Sequence, residues 1–517
     1  MAEHNFTKDD VKKRLKRIKN KTLGEIDDKG VFDSYNDKEL QKGIAGEIIE
    51  KCVFEYPSDC KQEPDLNIDG VKTELKTTGL IYNNNKEWVA KENVSVTAVS
   101  VYTNASETFQ TSHFLSKTEH LLFVYYKYLR KRNERIKPIE YKPFPIIGYK
   151  FYDLPDDEKD ALKKDWENVH GLICDISQKY GNNHDKEWEK KVKDEYINRR
   201  HEIRDKGLNY IDLAPKWPPR FRLKSSYITY IYNKKDSNYE SIDLDMKDLD
   251  TYEKICVDIT KKFTGKTIRE ISKILNFDLP ENKPKNIGEM VFLKMLGCKQ
   301  KKMSKIDFFA KEGIIPKTIV LLENKMPKED TKFFRVDFDE VTQKRFEYFD
   351  DNNDLKEREF EFEDSEFYRY FTEHQFLGIL FKKAKGKDAY DDIFIGTERL
   401  FFDKKIIEVD LKKLWDDTRE KIFEKKLKDV PTMKKNKQVI LKNGELSFHP
   451  NFMPSSLNSV FIKLSGKDST TESKTEEVNG IKMVPQYVWI RKKTIKEMLE
   501  YEMPPHIYDL INNMFEK

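Results

Sequence analysis

The sequence predicts a mixed α/β fold that occurs twice in tandem, each copy with a central mixed sheet flanked by helices. The first observation is an internal repeat, because seven pairs of similar segments keep the same order along the two halves of the chain. The second observation is the alternation of strand-like and helix-like patterns within each half. The paired segments are 20–26 with 265–271, 42–54 with 285–297, 60–62 with 298–300, 70–77 with 313–318, 117–127 with 371–383, 163–169 with 412–418, and 221–231 with 488–498.

The boundary between the two copies is predicted near residues 240–260. The segment KKDSNYESIDLDMKD, which leads into this interval, is polar and charged and reads as a linker. A chain of 517 residues is long enough for two domains of this size. We therefore expect a first domain at 1–250 and a second domain at 256–517.

Each copy is predicted to contain the same elements in the same order. A basic, amphipathic helix comes first, and a second helix opens at the Gly-Glu pair of residues 46–47. The remaining elements of the first copy are strands at 70–78, 95–102 and 121–128, a helix around Trp166, and a closing strand and helix within 221–231.

The composition excludes several classes of protein. No apolar run approaches the roughly 18 to 20 residues that span a bilayer, and the charged start lacks the apolar core of a signal peptide. The five cysteines show no CxxC spacing, so neither a zinc site nor a disulfide framework is indicated. We expect a cytoplasmic protein without a membrane partner. Basic clusters at 12–21 and 126–137 suit a phosphate backbone, although such clusters are more often solvated helix faces.

One short segment, PDLNIDGVKTELKTT at 64–78, carries a pattern with chemical meaning. If GVKTELKTT is a strand, Glu74 and Lys76 point to the same face, and Asp65 just before the strand can approach that face. Two carboxylates form a hard-oxygen site suited to Mg²⁺, and a neighbouring lysine can orient water or stabilise a charged transition state. By itself the pattern is weak, because an acid followed by ExK is common in a chain with 36% charged residues.

The second copy supports this interpretation, because it keeps the surrounding sequence pattern but lacks several of the charged residues. Asp307 and Lys317 persist, but Glu74 is replaced by Ile315. The other replacements are Glu50 by Phe292, Lys42 by Pro284 and Lys117 by Phe371. A copy poor in carboxylates cannot bind a divalent ion with the same ligands. One copy is therefore predicted to be chemically active, and the other to be a binding version of it.

These motifs resemble a known family. TLGEI, KGIAGEIIE, the D-x8-ExK of GVKTELKT and TSHFLSK follow one another as in MutH. The doubled length, together with LAPK, FRLKSSYIT, LWDDT and VWIRKKTIKEML, resembles the Sau-type type II restriction endonucleases of the PD-(D/E)xK superfamily. The resemblance implies a restriction-endonuclease-like fold and a DNA endonuclease with specificity for GATC. Two features depart from the family: D-x8-E is two residues longer than in MutH, and the first-copy recognition loop is compressed within LAPKWPPRFRLKSSY.

The resemblance also implies roles for individual residues. Asp65, Glu74 and Lys76 would form the catalytic triad, with Mg²⁺ held by Asp65, Glu74 and the Leu75 carbonyl. Glu50 matches an additional acid of the active site, and Lys42 and Lys117 match supporting lysines. The inactive second copy would bind DNA at an effector site and regulate cutting. Implied partners are double-stranded DNA, a cognate DNA methyltransferase and, on DNA, a second copy of the chain.

Candidate DNA contacts lie in the closing strand-and-helix segment of each copy, which is basic and aromatic. Each of them could equally be an ordinary surface or packing residue. The candidates are Lys216, Arg220, Arg222, Lys224, Ser225 and Tyr227 in the first copy, and Arg491, Lys492 and Lys493 in the second.

Two other functions remain open at this stage. A MutH-like endonuclease that nicks one strand during repair would share the site, although MutH has a single copy of the fold. A catalytically silent DNA-binding protein would not need the intact Asp65, Glu74 and Lys76.

Overall fold

The computed structural model describes most of the chain. The described residues are 4–35, 43–56, 63–82, 87–101, 104–130, 136–181, 185–214, 217–234, 239–242, 244, 246, 248–349, 355–384, 388–434, 436–441, 443–465 and 470–502. Among them, no helix has the length and apolar character needed to cross a membrane.

The first half begins with a short strand and three helices that precede the central strands. Its elements are β1 (Asn5–Phe6), α1 (Lys8–Ile18), α2 (Leu23–Ile26), α3 (Ile44–Ile48), which continues as a π-helical turn (Ile49–Val53), β2 (Leu66–Ile68), β3 (Val71–Tyr82), β4 (Trp88–Ala90), β5 (Val94–Ala98), α4 (His113–Thr118), β6 (His120–Lys127), β7 (Ile146–Asp153), α5 (Asp156–Tyr180), α6 (Lys186–Lys206), β8 (Ile211–Leu213), β9 (Arg220–Leu223) and α7 (Ser225–Asn233).

The second half repeats this plan with added hairpins. Its elements are α8 (Leu249–Phe263), α9 (Ile268–Ile274), α10 (Ile287–Met295), α11 (Asp307–Glu312), β10 (Ile314–Leu321), β11 (Thr331–Arg335), α12 (Phe338–Val341), β12 (Arg345–Phe349), β13 (Leu355–Glu359), α13 (Glu366–Glu373), β14 (Gln375–Lys382), β15 (Ile393–Leu400), a π-helical turn (Lys405–Leu411), α14 (Lys412–Phe423), β16 (Asp429–Pro431), β17 (Met433–Lys434), β18 (Lys437–Gln438), β19 (Phe448–Pro450), β20 (Val460–Leu464), β21 (Glu476–Val478), β22 (Ile481–Met483), β23 (Gln486–Ile490) and α15 (Lys492–Glu502).

The two halves share the same three central strands. In the first half β3 pairs in parallel with β6, and β6 pairs antiparallel with β7. In the second half β10 pairs in parallel with β14, and β14 pairs antiparallel with β15. Parallel neighbours need a crossover connection, so the same mixed arrangement in both halves reflects one repeated fold rather than a repeated hairpin. The predicted mixed α/β class with a central mixed sheet is confirmed.

Each central sheet is covered on both faces. In the first half, Leu122 and Val124 of β6 belong to a core shared with α1 to α3. The alternate residues Leu121 and Phe123 belong to a second core shared with α5, β9 and α7. The second half has the same two layers around β14. This alternation follows from the two-residue period of a strand that is buried on both faces.

The start of each half shows how closely local structure follows the repeated sequence. Thr22 and Glu25 form a reciprocal capping box at the beginning of α2. Thr267 and Glu270 form the same box at the beginning of α9. In each box the threonine side chain accepts from the backbone N–H of the glutamate, and the glutamate side chain accepts from the backbone N–H of the threonine. The matched pairs KTLGEI and KTIREI thus build the same helix start.

One predicted strand boundary differs from the structure, and the predicted domain limits fall within a helix. The strand expected at 95–102 is confined to Val94–Ala98. The interval 251–255, which separates the two predicted domains, lies inside the continuous helix α8. The domain limits 1–250 and 256–517 therefore stay predictions, and the helix that follows the predicted linker begins at Leu249.

Buried ion pairs join the two halves. Glu158 at the start of α5 is 1% exposed, and its Oε1 lies 3.3 Å from Lys311 Nζ on α11. The other carboxylate oxygen accepts from the hydroxyls of Tyr152 and Tyr227. A charge left unpaired in such a site is costly, so loss of this contact would destabilise the packing of the two halves.

Candidate active site

A tight hairpin brings Asp65 next to β3. Ile68 pairs with Val71, and the two residues between them, Asp69 and Gly70, both have positive φ angles, +50° and +85°. Asp-Gly is a preferred pair for a two-residue hairpin turn, because both positions require the left-handed region. Asp65 therefore returns alongside β3, where its Oδ2 accepts a hydrogen bond from the Leu75 backbone N–H at 2.9 Å.

Glu74 and Lys76 share one face of a strand, as the sequence predicted. Glu74 and Lys76 lie two residues apart on β3, and Lys76 Nζ is 2.7 Å from Glu74 Oε1. Lys117 on α4 approaches the same oxygen, with its Nζ at 3.2 Å. Glu74 is 1% exposed, so its charge is balanced by two lysines rather than by water. The structure thus brings together Asp65, Glu74, Lys76 and Lys117 from three separate segments.

The two carboxylates interact. Burial and then the charge of Glu74 raise the pKa of Asp65 to about 7. Asp65 is bonded to the N–H of Leu75, the residue after Glu74, so the two acids lie at one site, where like charges oppose ionisation. The second oxygen of Glu74, Oε2, is buried and accepts no hydrogen bond from any side chain or backbone group of the described residues. An orphaned carboxylate oxygen beside a second carboxyl fits an oxygen-ligated cation such as Mg²⁺.

The remaining predicted metal ligand is a backbone atom. Leu75 lies between Glu74 and Lys76, and its side chain is 4% exposed within the core formed with α1 to α3. A carbonyl at this position suits a hard cation, which takes backbone oxygens and water beside carboxylates. Within the described residues, no group of three or more His, Cys, Asp or Glu side chains could hold a metal ion. A metal here would therefore rest on two carboxylates, a carbonyl and water.

Two of the predicted supporting residues are placed less directly. Glu50 is half-buried on the π-helical turn (Ile49–Val53) that extends α3. It does not complete a three-acid group with Asp65 and Glu74. Lys42 lies outside the described residues.

The first-copy candidates for DNA contact are largely engaged inside the protein. Tyr227 and Lys224 are buried, at 1% and 3% exposure. The Tyr227 hydroxyl donates to Glu158, and Lys224 Nζ donates to the carbonyl oxygens of Leu208 and Asn209. Neither side chain can contact a phosphate in this conformation.

The neighbouring candidates differ in their exposure. Arg222 pairs with Asp212 and with Glu373 of the second half, the latter at 3.3 Å. Its guanidinium therefore joins the halves instead of facing solvent. Arg220 is exposed and Ser225 half-buried, and Lys216 lies outside the described residues.

The second-copy candidates lie at the start of α15. Lys492 and Lys493 are exposed and Arg491 is half-buried. Lys493 Nζ is 3.6 Å from Glu497 Oε1, one turn along the helix. An exposed pair of this kind is weak, so it leaves the lysine available to an external anion.

The matching site of the second half is apolar. Glu74 pairs with Leu121 across β3 and β6, and Ile315 pairs with Phe376 across β10 and β14. Phe371, which the repeat aligns with Lys117, packs against Phe376 with the ring centroids 5.8 Å apart and the rings tilted by 33°. An aromatic cluster thus fills the space that holds charge in the first half.

Lys317 remains in this apolar site without the surroundings of Lys76. Its Nζ lies 4.5 Å from the centroid of the Phe333 ring and donates to the Lys332 carbonyl at 2.8 Å. Burial, and then the charge of Lys332, lower the pKa of Lys317 to about 7. The lysine of the motif therefore persists in an environment that disfavours its charge.

The expected counterpart of Asp65 occupies a different position. Asp307 begins α11 and lies 3.2 Å from Lys311, beside the contact between the halves. The residue aligned with Leu75 is Pro316, which has no N–H to donate. The hydrogen bond that positions Asp65 therefore cannot form in the second half.

Sequence reasoning missed the residues that join the halves. Glu158 and Lys311 are 153 positions apart, and each lies in an ordinary charged segment. No local pattern marks them, because the pairing exists only once the halves are packed together.

The central mixed sheet, flanked by helices and present twice, is of the restriction-endonuclease-like class. Residues 54–165 match the family model described as DNA mismatch repair enzyme MutH. The chain is also 26% identical over 416 residues to Type II restriction enzyme Sau3AI of Staphylococcus aureus, with 74% of each chain covered. The resemblance to MutH and the Sau-type enzymes that the motifs predicted is confirmed. The matched span contains Asp65, Glu74, Lys76 and Lys117, whereas Glu50 precedes it.

Proposed function

We propose that this protein is a type II restriction endonuclease that makes Mg²⁺-dependent double-strand cuts in DNA at a short specific site, GATC or a related sequence. The first half would carry the chemistry, and the second half would bind DNA and regulate cutting. The observation that carries the proposal is the buried Glu74 carboxylate, which lies beside Asp65, Lys76 and Lys117 in the first half and is replaced by Ile315 in the second.

Asp65, Glu74 and the Leu75 carbonyl are the groups that would hold Mg²⁺. When bound, the ion lowers the pKa of a water molecule and neutralises charge that develops on the phosphate. The orphaned Glu74 Oε2 and the raised pKa of Asp65 both support this assignment, since the first is a carboxylate oxygen without a hydrogen-bond donor among the described residues and the second is a buried acid close to another carboxylate.

Lys76 and Lys117 would assist the attack of water on the phosphate. Lys76 is 20% exposed at its side chain, so its amine reaches both Glu74 and the solvent side of the site. From there it can orient the water and stabilise the negative charge of the transition state. Lys117 is 10% exposed and would act through Glu74, by holding its carboxylate in place.

Water attack at phosphorus would break the bond to the 3′ oxygen and leave a 5′-phosphate and a 3′-hydroxyl. With one active half per chain, two chains would pair on DNA to cut both strands, or one chain would nick each strand in turn. A cognate methyltransferase would protect host DNA in the same cytoplasm.

The direct test is digestion of a supercoiled plasmid with the full chain and Mg²⁺, followed by sequencing of the ends. Discrete double-strand ends at one short sequence are the expected result. Persistent nicked circles would instead favour a strand-nicking repair enzyme. Binding without any cutting would indicate a catalytically silent DNA-binding protein. Glu74→Ala is the control that must stop the reaction.

A further inference from the structure

The second half carries a β-ribbon, residues 429–450, between α14 and β20. β16 pairs with β19, from Asp429 opposite Pro450 to Pro431 opposite Phe448. Beyond them, β17 pairs with β18, and Ile440 forms an isolated antiparallel bridge with Leu446. In the first half the corresponding segment, between α5 and β8, holds the helix α6. The ribbon thus stands where the other copy has a helix, in the copy that lacks the acid site.

The ribbon buries one polar pair and exposes three large apolar side chains. The hydroxyls of Thr432 and Ser447 are hydrogen-bonded to each other at 3.1 Å, and Ser447 is 6% exposed. Met433, Ile440 and Leu446 are 57%, 65% and 52% exposed. A stable monomer gains from the opposite arrangement, so an apolar group exposed at a ribbon tip indicates a binding surface.

The charge around these apolar residues favours a partner that carries many negative charges. Residues 432–444 contain four lysines and no acidic residue. Two of these lysines, Lys434 and Lys437, are described and exposed. Lysines in such a surface neutralise phosphates, and the attraction does not depend on sequence.

The surface at the base of the ribbon continues this positive character. A cleft there is lined by Lys463 and Lys482, both exposed. Of the acids nearby, Asp429 lies 4.0 Å from Lys474, Glu445 accepts from the backbone N–H and the hydroxyl of Thr471, both at 3.2 Å, and Glu477 lies opposite Lys482 in the pair β21 and β22. A nucleic-acid backbone would therefore meet lysines along the cleft and at the tip.

We infer that the ribbon of residues 429–450 is a DNA-binding element, which inserts Met433, Ile440 and Leu446 into a groove while Lys434 and Lys437 contact the flanking phosphates. A two-stranded ribbon fits the groove of duplex DNA, and aliphatic side chains are the residues that wedge between base steps. The inference rests on the proposed function and deepens it, because it assigns a DNA-contacting segment to the half that lacks the acid site.

The test uses the full chain carrying Glu74→Ala, so that DNA is bound but not cut, and a fluorescent duplex containing the cleaved sequence. Two variants are added separately: Ile440→Ser with Leu446→Ser, and Lys434→Gln with Lys437→Gln. Their matched controls are Val409→Ser, which is 56% exposed elsewhere in the second half, and Lys190→Gln with Lys193→Gln on the exposed face of α6. Unchanged thermal unfolding midpoints show that the variants are folded.

The serine and glutamine variants should weaken DNA binding in different ways. The serine variant should bind the duplex about tenfold more weakly with an unchanged salt dependence, because it removes apolar contact and no charge. The glutamine variant should reduce the slope of log K against log salt by about 1.8, since each phosphate contact contributes about 0.9. The controls should match the parent in both measurements.

Two results would overturn the inference. One is a parent that binds and, with Glu74 restored, cuts DNA, while both ribbon variants bind exactly as tightly as their controls. The other is a serine variant that changes self-association in sedimentation but not DNA affinity, which would make the ribbon a protein contact. A parent that does not bind the duplex, together with a chain that does not cut it when Glu74 is restored, contradicts the proposed function itself.

Discussion

Glu74 Oε1 lies 2.7 Å from Lys76 Nζ on one face of β3, and the same oxygen receives Lys117 Nζ at 3.2 Å. Two cations therefore converge on one oxygen of a buried carboxylate, while the other oxygen has no partner among the described residues. Oε1 is therefore held by the two lysines, and Oε2 is the oxygen that could bind a cation. The first two predictions rest on this difference.

Glu74→Gln should abolish cutting and leave DNA binding nearly unchanged. The amide keeps the shape of the side chain but removes the charge that a divalent cation requires. Cleavage of a labelled duplex and anisotropy in Ca²⁺ would measure the two effects separately. Glu63→Gln, which alters an exposed acid paired with Lys72 at 3.1 Å, should cut normally. A Glu74→Gln protein that cuts at a near-normal rate would show that the site is assigned wrongly.

Lys117→Met should slow cutting by on the order of 10²-fold with little change in DNA affinity, because it leaves Glu74 held by Lys76 alone. Single-turnover rates at saturating DNA would separate the rate from binding. If Lys117 acts only by positioning Glu74, Lys117→Arg should recover part of the rate. Lys159→Met, which breaks a more exposed pair with Glu119, is the control. An equal loss in both methionine variants would contradict a special role for Lys117.

Lys311→Met should destabilise the chain by about 3–5 kcal/mol, since it leaves Glu158 as an unpaired buried charge. Urea unfolding followed by circular dichroism would measure the change. The exposed helical pair of Lys163 and Glu167 provides the contrast, because Lys163→Met should cost no more than about 0.5 kcal/mol. Similar midpoints for the two variants would mean that the contact between the halves contributes little.

Glu312 should make stability fall with rising pH. It is fully buried, and burial raises its pKa to about 8, while the charged groups that face it are Lys224, Asp165, Lys311 and Asp248. The folded state therefore binds the proton more tightly than the unfolded state, whose carboxyl titrates at its ordinary value of 4.5. The stability that this proton contributes is fully present below that value and is lost as the pH rises towards 8.

Glu312→Gln should flatten this decline, because the amide stays neutral. The variant should equal the parent near pH 4.5 and exceed it near pH 8, by about 1 kcal/mol or more. Urea midpoints across this range would measure it, with the exposed Glu281→Gln as the control. A parent whose midpoint does not change between these pH values would rule the mechanism out.

Lys317→Met should leave cutting intact. The amine lies over the Phe333 ring and bonds a backbone carbonyl, and Ile315 stands where the active half has its glutamate. Methionine has a similar length and suits an aromatic site. Plasmid cleavage with Mg²⁺ would compare it with Lys76→Met, which should lose about 10²- to 10⁴-fold. Loss of cutting on substitution of Lys317 would contradict the division of labour between the halves.

The sequence by itself determined the class of fold and the centre of the site. The repeat predicted two copies, and the alternation of GVKTELKTT put Glu74 and Lys76 on one face, because strand geometry is local. Asp-Gly at 69–70 also determined the turn that returns Asp65 to the strand.

Only the tertiary structure decided which charged residues are available. Lys224, Tyr227 and Arg222 looked like DNA contacts in the sequence, but tertiary packing engages their polar groups with Leu208 and Glu158 of the first half and with Glu373 of the second. It likewise paired Glu158 with Lys311, and it left Ile440 and Leu446 exposed on the ribbon. Burial is set by contacts between distant segments, so local periodicity can say where a side chain points along its own strand but not what will cover it.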